Sequence, residues 1–516
     1  MSWSRVPLRG GFVVLLLVVN ACSVLEPPAS QMTPAVSPTA SQPVRTPTRP
    51  PTETLEAQPT RAPNPRGTPT ADPPRAIVPP GQTALRVQVQ LGDDLGLIAQ
   101  RWGVGVGDLM SVNGLTDLEA VLYPGQWLLV PQAVTAQGPS EKILPDSELV
   151  FGPASGGFDA AAFVEARGGY LATYSETVEG VERSGADLLE LAAGRYSVNP
   201  RLLLALLEYQ SGWVTRAEAP EGSLTYPLGR AQGGTEGLFR QFEWAANTLN
   251  ANFYGWRDGS LTMVILGDGE RAGLYPGLNP GTAAVQAFFA HVYSGEAWRG
   301  AAGPRGLAAT YRRLFGDPFA SPADPLLPER LIQPEMQLPW AIGETWFYSA
   351  GPHGGWGLGS AWAALDFLPP GAETGCYITP FWARAVASGV IVRSEYGLAV
   401  LDLDGDGNEG TGWTVLYLHL ADDGRAPPGA VLSAGDPVGR PSCEGGNSSG
   451  THVHLARRYN GAWISPDDAP FRLGRWEARP AEGAQAGAGW LWNTSQEVYK
   501  VACDCRADGN ALPNAP

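Results

Sequence analysis

A chain of 516 residues is long enough for several domains, and its 44% hydrophobic and 17% charged content is that of globular protein. The formal net charge of −16 argues against a nucleic-acid partner, and it leaves any contact with an anionic polymer to specific recognition. Glycine (65) and proline (47) are both high, and the prolines concentrate near the front.

At the start, Arg5 and Arg9 precede an apolar run from Phe12 to Val19. The run is too short to span a membrane comfortably and suits a secretory signal. It ends in Val19-Asn-Ala-Cys22, which resembles the bacterial lipobox, so residues 1–22 read as a lipoprotein signal peptide with Cys22 lipidated. The resemblance implies an exported protein, anchored by lipid to the outer face of a bacterial membrane and facing the cell wall. Residues 23–83 are mostly Pro, Thr, Ser and Ala. They lack the apolar side chains for a core and form a disordered spacer.

Residues 84–132 form a small module. Val87 and Val89 predict a strand, and Leu95, Ile98, Ala99 and Trp102 lie at helical spacing. Val106, Leu109 and Val112 repeat that spacing, Asn113-Gly114 turns the chain, and Val121 to Val130 supplies a second strand. This βααβ unit resembles a LysM module in Gly92-Asp-Asp-Leu, Ile98-Ala-Gln-Arg-Trp, Asp108-Leu, Val112-Asn-Gly-Leu and Tyr123-Pro-Gly-Gln. The resemblance implies binding to glycans that contain N-acetylglucosamine, chiefly peptidoglycan.

Residues 145–330 predict an α-rich domain, with helices over 186–196, 201–209, 237–249, 279–293 and 306–314. Asn199 and Pro200 form a capped start for the second of these. The run Tyr196-Ser-Val-Asn-Pro-Arg to Gln210-Ser-Gly-Trp213 is similar to the opening of lysozyme-like lytic transglycosylases. In that family a general-acid Glu precedes Ser-Gly; here Gln210 stands there and cannot deliver a proton. Glu208, two residues earlier, is turned about 200° around the helix. The domain therefore reads as lysozyme-like and non-catalytic, a glycan binder or a structural element. Trp213, Trp244, Tyr254 and Trp256 could stack on sugars, but core packing is the expected use. His291, in an apolar helix, is expected to be a satisfied core histidine.

Residues 336–510 change to short apolar runs between Gly-rich turns, with strands expected over 387–394, 398–403, 414–420 and 451–458. An antiparallel all-β domain follows. Histidine is scarce, five in the chain, yet His353, His419, His452 and His454 all fall here. In a strand the His452-x-His454 pair presents both rings on one face, a natural metal-binding arrangement.

The segment resembles the lysostaphin- or LytM-type zinc metallopeptidases, and most closely their β-lytic (staphylolysin) branch. The matching pieces are Met336-Gln-Leu-Pro-Trp340, Gly351-Pro-His353 through Asp366-Phe, Tyr417-Leu-His419, and Cys443-Glu-Gly-Gly-Asn-Ser-Ser-Gly-Thr-His452-Val-His454. In commoner members the first His stands four residues before the Asp, a position held here by Trp362. His353 lies thirteen residues before Asp366, the β-lytic arrangement. The resemblance implies one zinc ion on His353, Asp366 and His454, with His419 and His452 as unliganded catalytic histidines. Two imidazoles and one carboxylate leave a fourth position for water, the mark of a catalytic site. There is no His-Glu-x-x-His helix.

Two further features stand apart. Asp402, Asp404 and Asp406 resemble the start of a calcium loop, but Trp413 replaces the closing Glu, and an acidic hairpin turn is the alternative. Cys376, Cys443, Cys503 and Cys505 are disulfide candidates in an exported protein, with three connectivities open. Cys503 and Cys505 stand close together, so the preferred pairing links Cys376 and Cys443 each to the tail.

The expected function is a zinc endopeptidase that cuts glycine-containing bonds in peptidoglycan bridges or stems, with peptidoglycan and the membrane as partners. The rivals are a non-catalytic wall-binding regulator of wall hydrolases and a general secreted protease acting on glycine-rich proteins.

Overall fold

The computed structural model describes residues 82–515 apart from 90–92, 103, 119, 123–125, 134–135, 321 and 481–486. The signal segment with Cys22 and the linker to residue 81 lie outside the described residues, as do Gly92 and Tyr123 to Gly125 of the first module. Among the described residues no helix is long and apolar enough to cross a membrane.

The first module keeps the βααβ order that its spacing predicts, but its second strand begins at Trp127 instead of Val121. Strand β1 (Gln82–Gln88) pairs antiparallel with β2 (Trp127–Ala133), and helices α1 (Leu95–Trp102) and α2 (Val106–Val112) lie between them in sequence. Gln82 and Thr83, assigned above to the linker, already belong to β1, because the ladder runs on to Ala133 and Gln132. Val87, Leu95, Ile98, Leu109, Leu128 and Val130 close a core of their own. The Asn113 side chain bonds to the Leu109 carbonyl and to both backbone groups of Leu129, which ties the end of α2 to β2.

The middle region is helical: α3 (Ala160–Arg167), α4 (Gly185–Tyr196), α5 (Pro200–Ser211), α6 (Leu238–Asp258), α7 (Pro280–Ala290), α8 (Gly295–Ala301) and α9 (Leu307–Phe315). Local chemistry sets the ends. Ser184 and Asp187 make a reciprocal capping box on α4, and Asn199 caps α5 with Pro200 at its first turn. Helix α6 runs nine residues past the expected end at Leu249, because Phe242, Ala246, Leu249, Phe253 and Trp256 continue one buried stripe.

Two expectations about side chains resolve here. Glu208 is buried and occupied: its carboxylate accepts from the Thr215 amide (3.1 Å) and hydroxyl (2.6 Å) and pairs with Arg313 at 3.3 Å. Trp213 and Trp256 are buried, Tyr254 nearly so, and Trp244 packs on Phe288. His291 is not a core residue. Helix α7 stops at Ala290, so His291 caps its C-terminus, exposed and edge-on to Trp244.

The C-terminal region is organised by an antiparallel sheet. In chain order its strands are β3 (Thr345–His353), β4 (Ala364–Leu368), β5 (Gly389–Glu395), β6 (Leu398–Asp402), β7 (Trp413–Leu418), β8 (Val431–Leu432), β9 (Val453–Tyr459) and β10 (Ala511–Pro513). Their spatial order is β8-β5-β6-β7-β9-β4-β3-β10. A four-stranded sheet over 471–501 lies beside it in sequence. Strands β6 and β7 are buried on both faces, so they read as nearly continuous apolar runs instead of alternating ones; most of β9 is buried too, but it carries His454, Arg457 and Arg458 inside. One face (Leu398, Val400, Leu416, Leu418, Ala456) shares a core with the helices of the middle region. The other (Ala399, Leu401, Val415, Tyr417, Leu455) packs on Met336, Leu338, Phe471 and Leu491.

Candidate metal centre

The central strands bring the candidate ligands together by register. His454 in β9 pairs directly with Asp366 in β4, and His353, at the end of β3, pairs with Ala364 after two irregularities in the ladder. The result is one carboxylate between two imidazoles. Asp366 Oδ1 lies 3.0 Å from His353 Nε2 and 3.1 Å from His454 Nδ1. One ligand atom from each of the three residues falls within 4.8 Å of the others.

Each ring's other nitrogen is already engaged: His353 Nδ1 on the Gly354 carbonyl at 3.1 Å, His454 Nε2 on the Gly355 carbonyl at 3.0 Å. A carbonyl accepts only from N–H, so these contacts select the tautomers whose bare nitrogens face Asp366. His353 Nε2 and Asp366 Oδ1 are buried and lack a hydrogen-bond partner. Three inward-facing donor atoms, two of them orphaned, fit a cation with mixed imidazole and carboxylate ligation.

His419 and His452 form a second pair with ring centroids 4.5 Å apart. His452 Nε2 is 3.6 Å from Asp366 Oδ2, and its Nδ1 faces the Gly450 carbonyl at 2.8 Å. Strand β9 begins at Val453, so His452 stands just before it, held by an isolated bridge to Ser442. His419 follows β7 directly and has a φ of 65°, a left-handed conformation unusual outside glycine. Ser442 holds that backbone: its N–H and hydroxyl both donate to the His419 carbonyl, at 2.6 and 3.2 Å. The Ser442 hydroxyl also accepts from the Glu444 amide, and the Glu444 carbonyl faces His419 Nδ1 at 3.2 Å.

Electrostatics follow burial and neighbours. Burial and the nearby His452 and His454 push His419 down to about 3, so its imidazole is neutral at neutral pH. Burial lowers His454 as well. Burial opposes the charged form of His353, but the Asp366 carboxylate outweighs it and the net direction is up. Burial would raise Asp366, yet His353 and His452 hold it well below the usual carboxylate range.

The cysteines pair differently from the expected scheme. Cys376 joins Cys443, and Cys503 joins Cys505. The Cys376 loop is fastened beside the histidine strand, with Thr451 N–H on the Gly375 carbonyl and Tyr377 N–H on the Thr451 hydroxyl. The tail cysteines instead wrap the Asn510 side chain next to Tyr348, so they meet each other. The Asp402, Asp404 and Asp406 carboxylates also converge. Their oxygens accept from the turn's own groups, the amides of Asp404, Asp406, Gly407 and Asn408 and the Thr411 hydroxyl. That is the bonding of an acidic turn.

Residues 142–327 match the family model described as LasA, N-terminal domain, and residues 87–131 match that described as LysM domain. A curated relative in Pseudomonas aeruginosa is 29% identical over 333 residues, which cover 61% of this chain and 74% of the relative. The chain is similar to Protease LasA. Among solved structures, the deep-sea M23 metalloprotease pseudoalterin is 22% identical over 33% of this chain and 96% of its own, with a TM-score of 0.26. The catalytic domain of lysostaphin from Staphylococcus simulans is 22% identical over 24% and 90%, with a TM-score of 0.17. The match to the LasA N-terminal domain covers most of the helical middle region.

Side chains that ligate or titrate are visible in a sequence; their supports are less so. Ser442 and the carbonyls of Gly354, Gly355, Gly450 and Glu444 escape residue-type reasoning, because a main-chain acceptor has no signature. The glycine density around His353 is the one signal that backbone approaches closely there.

Proposed function

We propose that this chain is a zinc-dependent endopeptidase that hydrolyses peptide bonds of peptidoglycan, with glycine-containing bonds preferred. The observation that carries the reading is the convergence of His353 Nε2, Asp366 Oδ1 and His454 Nδ1, each imidazole being fixed from behind by a carbonyl. Similarity to a protein named as a protease, and the LysM match, support it from outside the site. On this reading the LysM module holds the glycan, the middle domain is non-catalytic, and Cys22 anchors the exported chain to the membrane.

Zinc held by His353, Asp366 and His454 supplies Lewis acidity and acidifies water toward a pKa of about 7. The rest falls to His419 and His452. With Nδ1–H committed to carbonyls, each leaves Nε2 bare; His452, beside the Asp366 carboxylate, is placed to accept a proton from the attacking water, while buried His419, the weaker base, orients that water as a hydrogen-bond acceptor. Once protonated, His452 becomes a donor, which stabilises the developing oxyanion and returns the proton to the leaving amine.

The test is metal content and release of new amino termini from purified walls by the full chain. The expected result is about one zinc per chain, with activity lost in His454→Ala and in His419→Ala, and zinc retained in the latter. Cleavage of soluble elastin-like substrates but not of walls would favour a general protease, and well-folded protein without zinc would sink the catalytic reading.

A further inference from the structure

The loop from Gly354 to Ala361 joins the strand that ends in His353 to the strand that carries Asp366. It has two sides. On one side the Gly354 and Gly355 carbonyls meet the second nitrogens of His353 and His454, at 3.1 and 3.0 Å. On the other side the loop lies against the middle domain. Asn247 Oδ1, on α6, accepts from the Gly359 amide at 2.8 Å. A Cβ at Gly359 would stand 2.0 Å from the Asn247 carbonyl oxygen, and one at Gly357 would stand 2.9 Å from Tyr196 Cε1, on α4. Only glycine permits so close an approach. The Trp356 ring meets Tyr196 edge-on at 6.4 Å. Behind Gly355 sits buried Trp463, whose indole N–H donates to the Tyr196 carbonyl at 3.1 Å.

We propose that the middle domain braces the metal centre through this loop, with Asn247 as the positioning residue. The proposal rests on the metal reading above. Groups that fix the far nitrogen of a liganding imidazole set its tautomer and orientation, and losing them weakens metal binding roughly 10- to 100-fold. Here the fixing groups are carbonyls of a glycine-rich loop whose large side chains are Trp356, packed on Tyr196 and Arg195 of the middle domain, and Leu358, 97% exposed at the tip. Its position is therefore set by what it rests on. The helical domain thus contributes to metal affinity without supplying a ligand.

The experiment measures zinc affinity of the full chain by competition with a chromophoric chelator, for wild type, Asn247→Ala, Gly359→Ala and Leu249→Val. Leu249 is buried on the same helix and is distant in role, so its variant loosens the core without touching the loop. The expected result is a roughly tenfold or larger loss of affinity in Asn247→Ala and Gly359→Ala, with Leu249→Val close to wild type. Unchanged affinity in Asn247→Ala overturns the brace. An equal loss in Leu249→Val also overturns it, by tracing the effect to general destabilisation. Should Gly359→Ala fail to fold, Asn247→Ala decides alone. A wild-type chain that binds no zinc would withdraw the metal reading itself, and is thereby distinct from a wild-type-like variant.

Discussion

At the scale of single residues, the Ser442 hydroxyl governs His419 twice, through its backbone carbonyl and through the Glu444 amide. Removing that hydroxyl leaves the Glu444 N–H and part of the His419 carbonyl unpaired, a cost of about 1–2 kcal/mol. Ser442→Ala should therefore lower stability by about that amount, and reduce kcat more than it raises KM, with zinc content unchanged. Urea unfolding and steady-state kinetics on a wall peptide check this; an unchanged kcat would remove Ser442 from the positioning of His419. His353, His419, His452 and His454 were legible in the sequence because histidine is scarce, five in the chain, and clusters here; Asp366 was picked out from 51 acidic residues only by the resemblance to the β-lytic peptidases. Ser442 was not legible. One serine among several beside Cys443 differs from its neighbours only in what it touches.

At the scale of elements, the turn at Gly397 between β5 and β6 is the tightest support of the same histidine. Gly397 has a φ of 66°, and a Cβ there would lie 2.3 Å from the Glu444 carbonyl oxygen. That oxygen is the one facing His419 Nδ1. Gly397→Ala combines backbone strain of about 1 kcal/mol or more with displacement of the Glu444 segment. The variant should melt earlier and lose activity, whereas Gly474→Ala, at a positive φ with open space around it, should melt slightly earlier and keep activity. Equal activity losses in the two would refute the specific role of the Gly397 turn. The strands themselves were readable, since β6 and β7 are apolar runs between turn residues and β9 follows a Gly- and Ser-rich turn. Their pairing order was not, because a run buried on both faces carries no alternation to show which side meets which neighbour.

At the scale of the molecule, the helical and sheet regions are joined by buried charge as well as apolar surface. Glu409 bridges Arg393 and Arg458; Arg393 also donates to the Gly194 carbonyl, and Arg458 to the Ser197 hydroxyl, both in the middle domain. Burial would raise Glu409, but the two guanidinium groups overcome it and hold it down at about 2, against an ordinary 4.5. Because the folded value lies below the unfolded one, the stabilisation is present above pH 4.5 and is lost as pH falls toward 2. That shift corresponds to about 3 kcal/mol. Glu409→Gln should cost about that much at pH 7 and flatten the pH dependence of unfolding between those limits, as urea titrations at pH 7 and pH 3 would register. Identical losses at both values would place the effect elsewhere. None of this was visible in the sequence, where Arg393, Glu409 and Arg458 are dispersed charges with nothing to mark them as partners.

The shared core has a consequence for how such chains diversify. Val400, Leu416, Leu418 and Ala456 are sheet residues that share a core with helices encoded well upstream of them. Substitutions on either side must be matched on the other, so the two regions should exchange together, as a single cassette. The LysM module, which closes its own core, is under no such constraint. Exchange between related genes would succeed at the junction near residue 140 and fail at the one near 336, although the change of composition is as plain at the second as at the first.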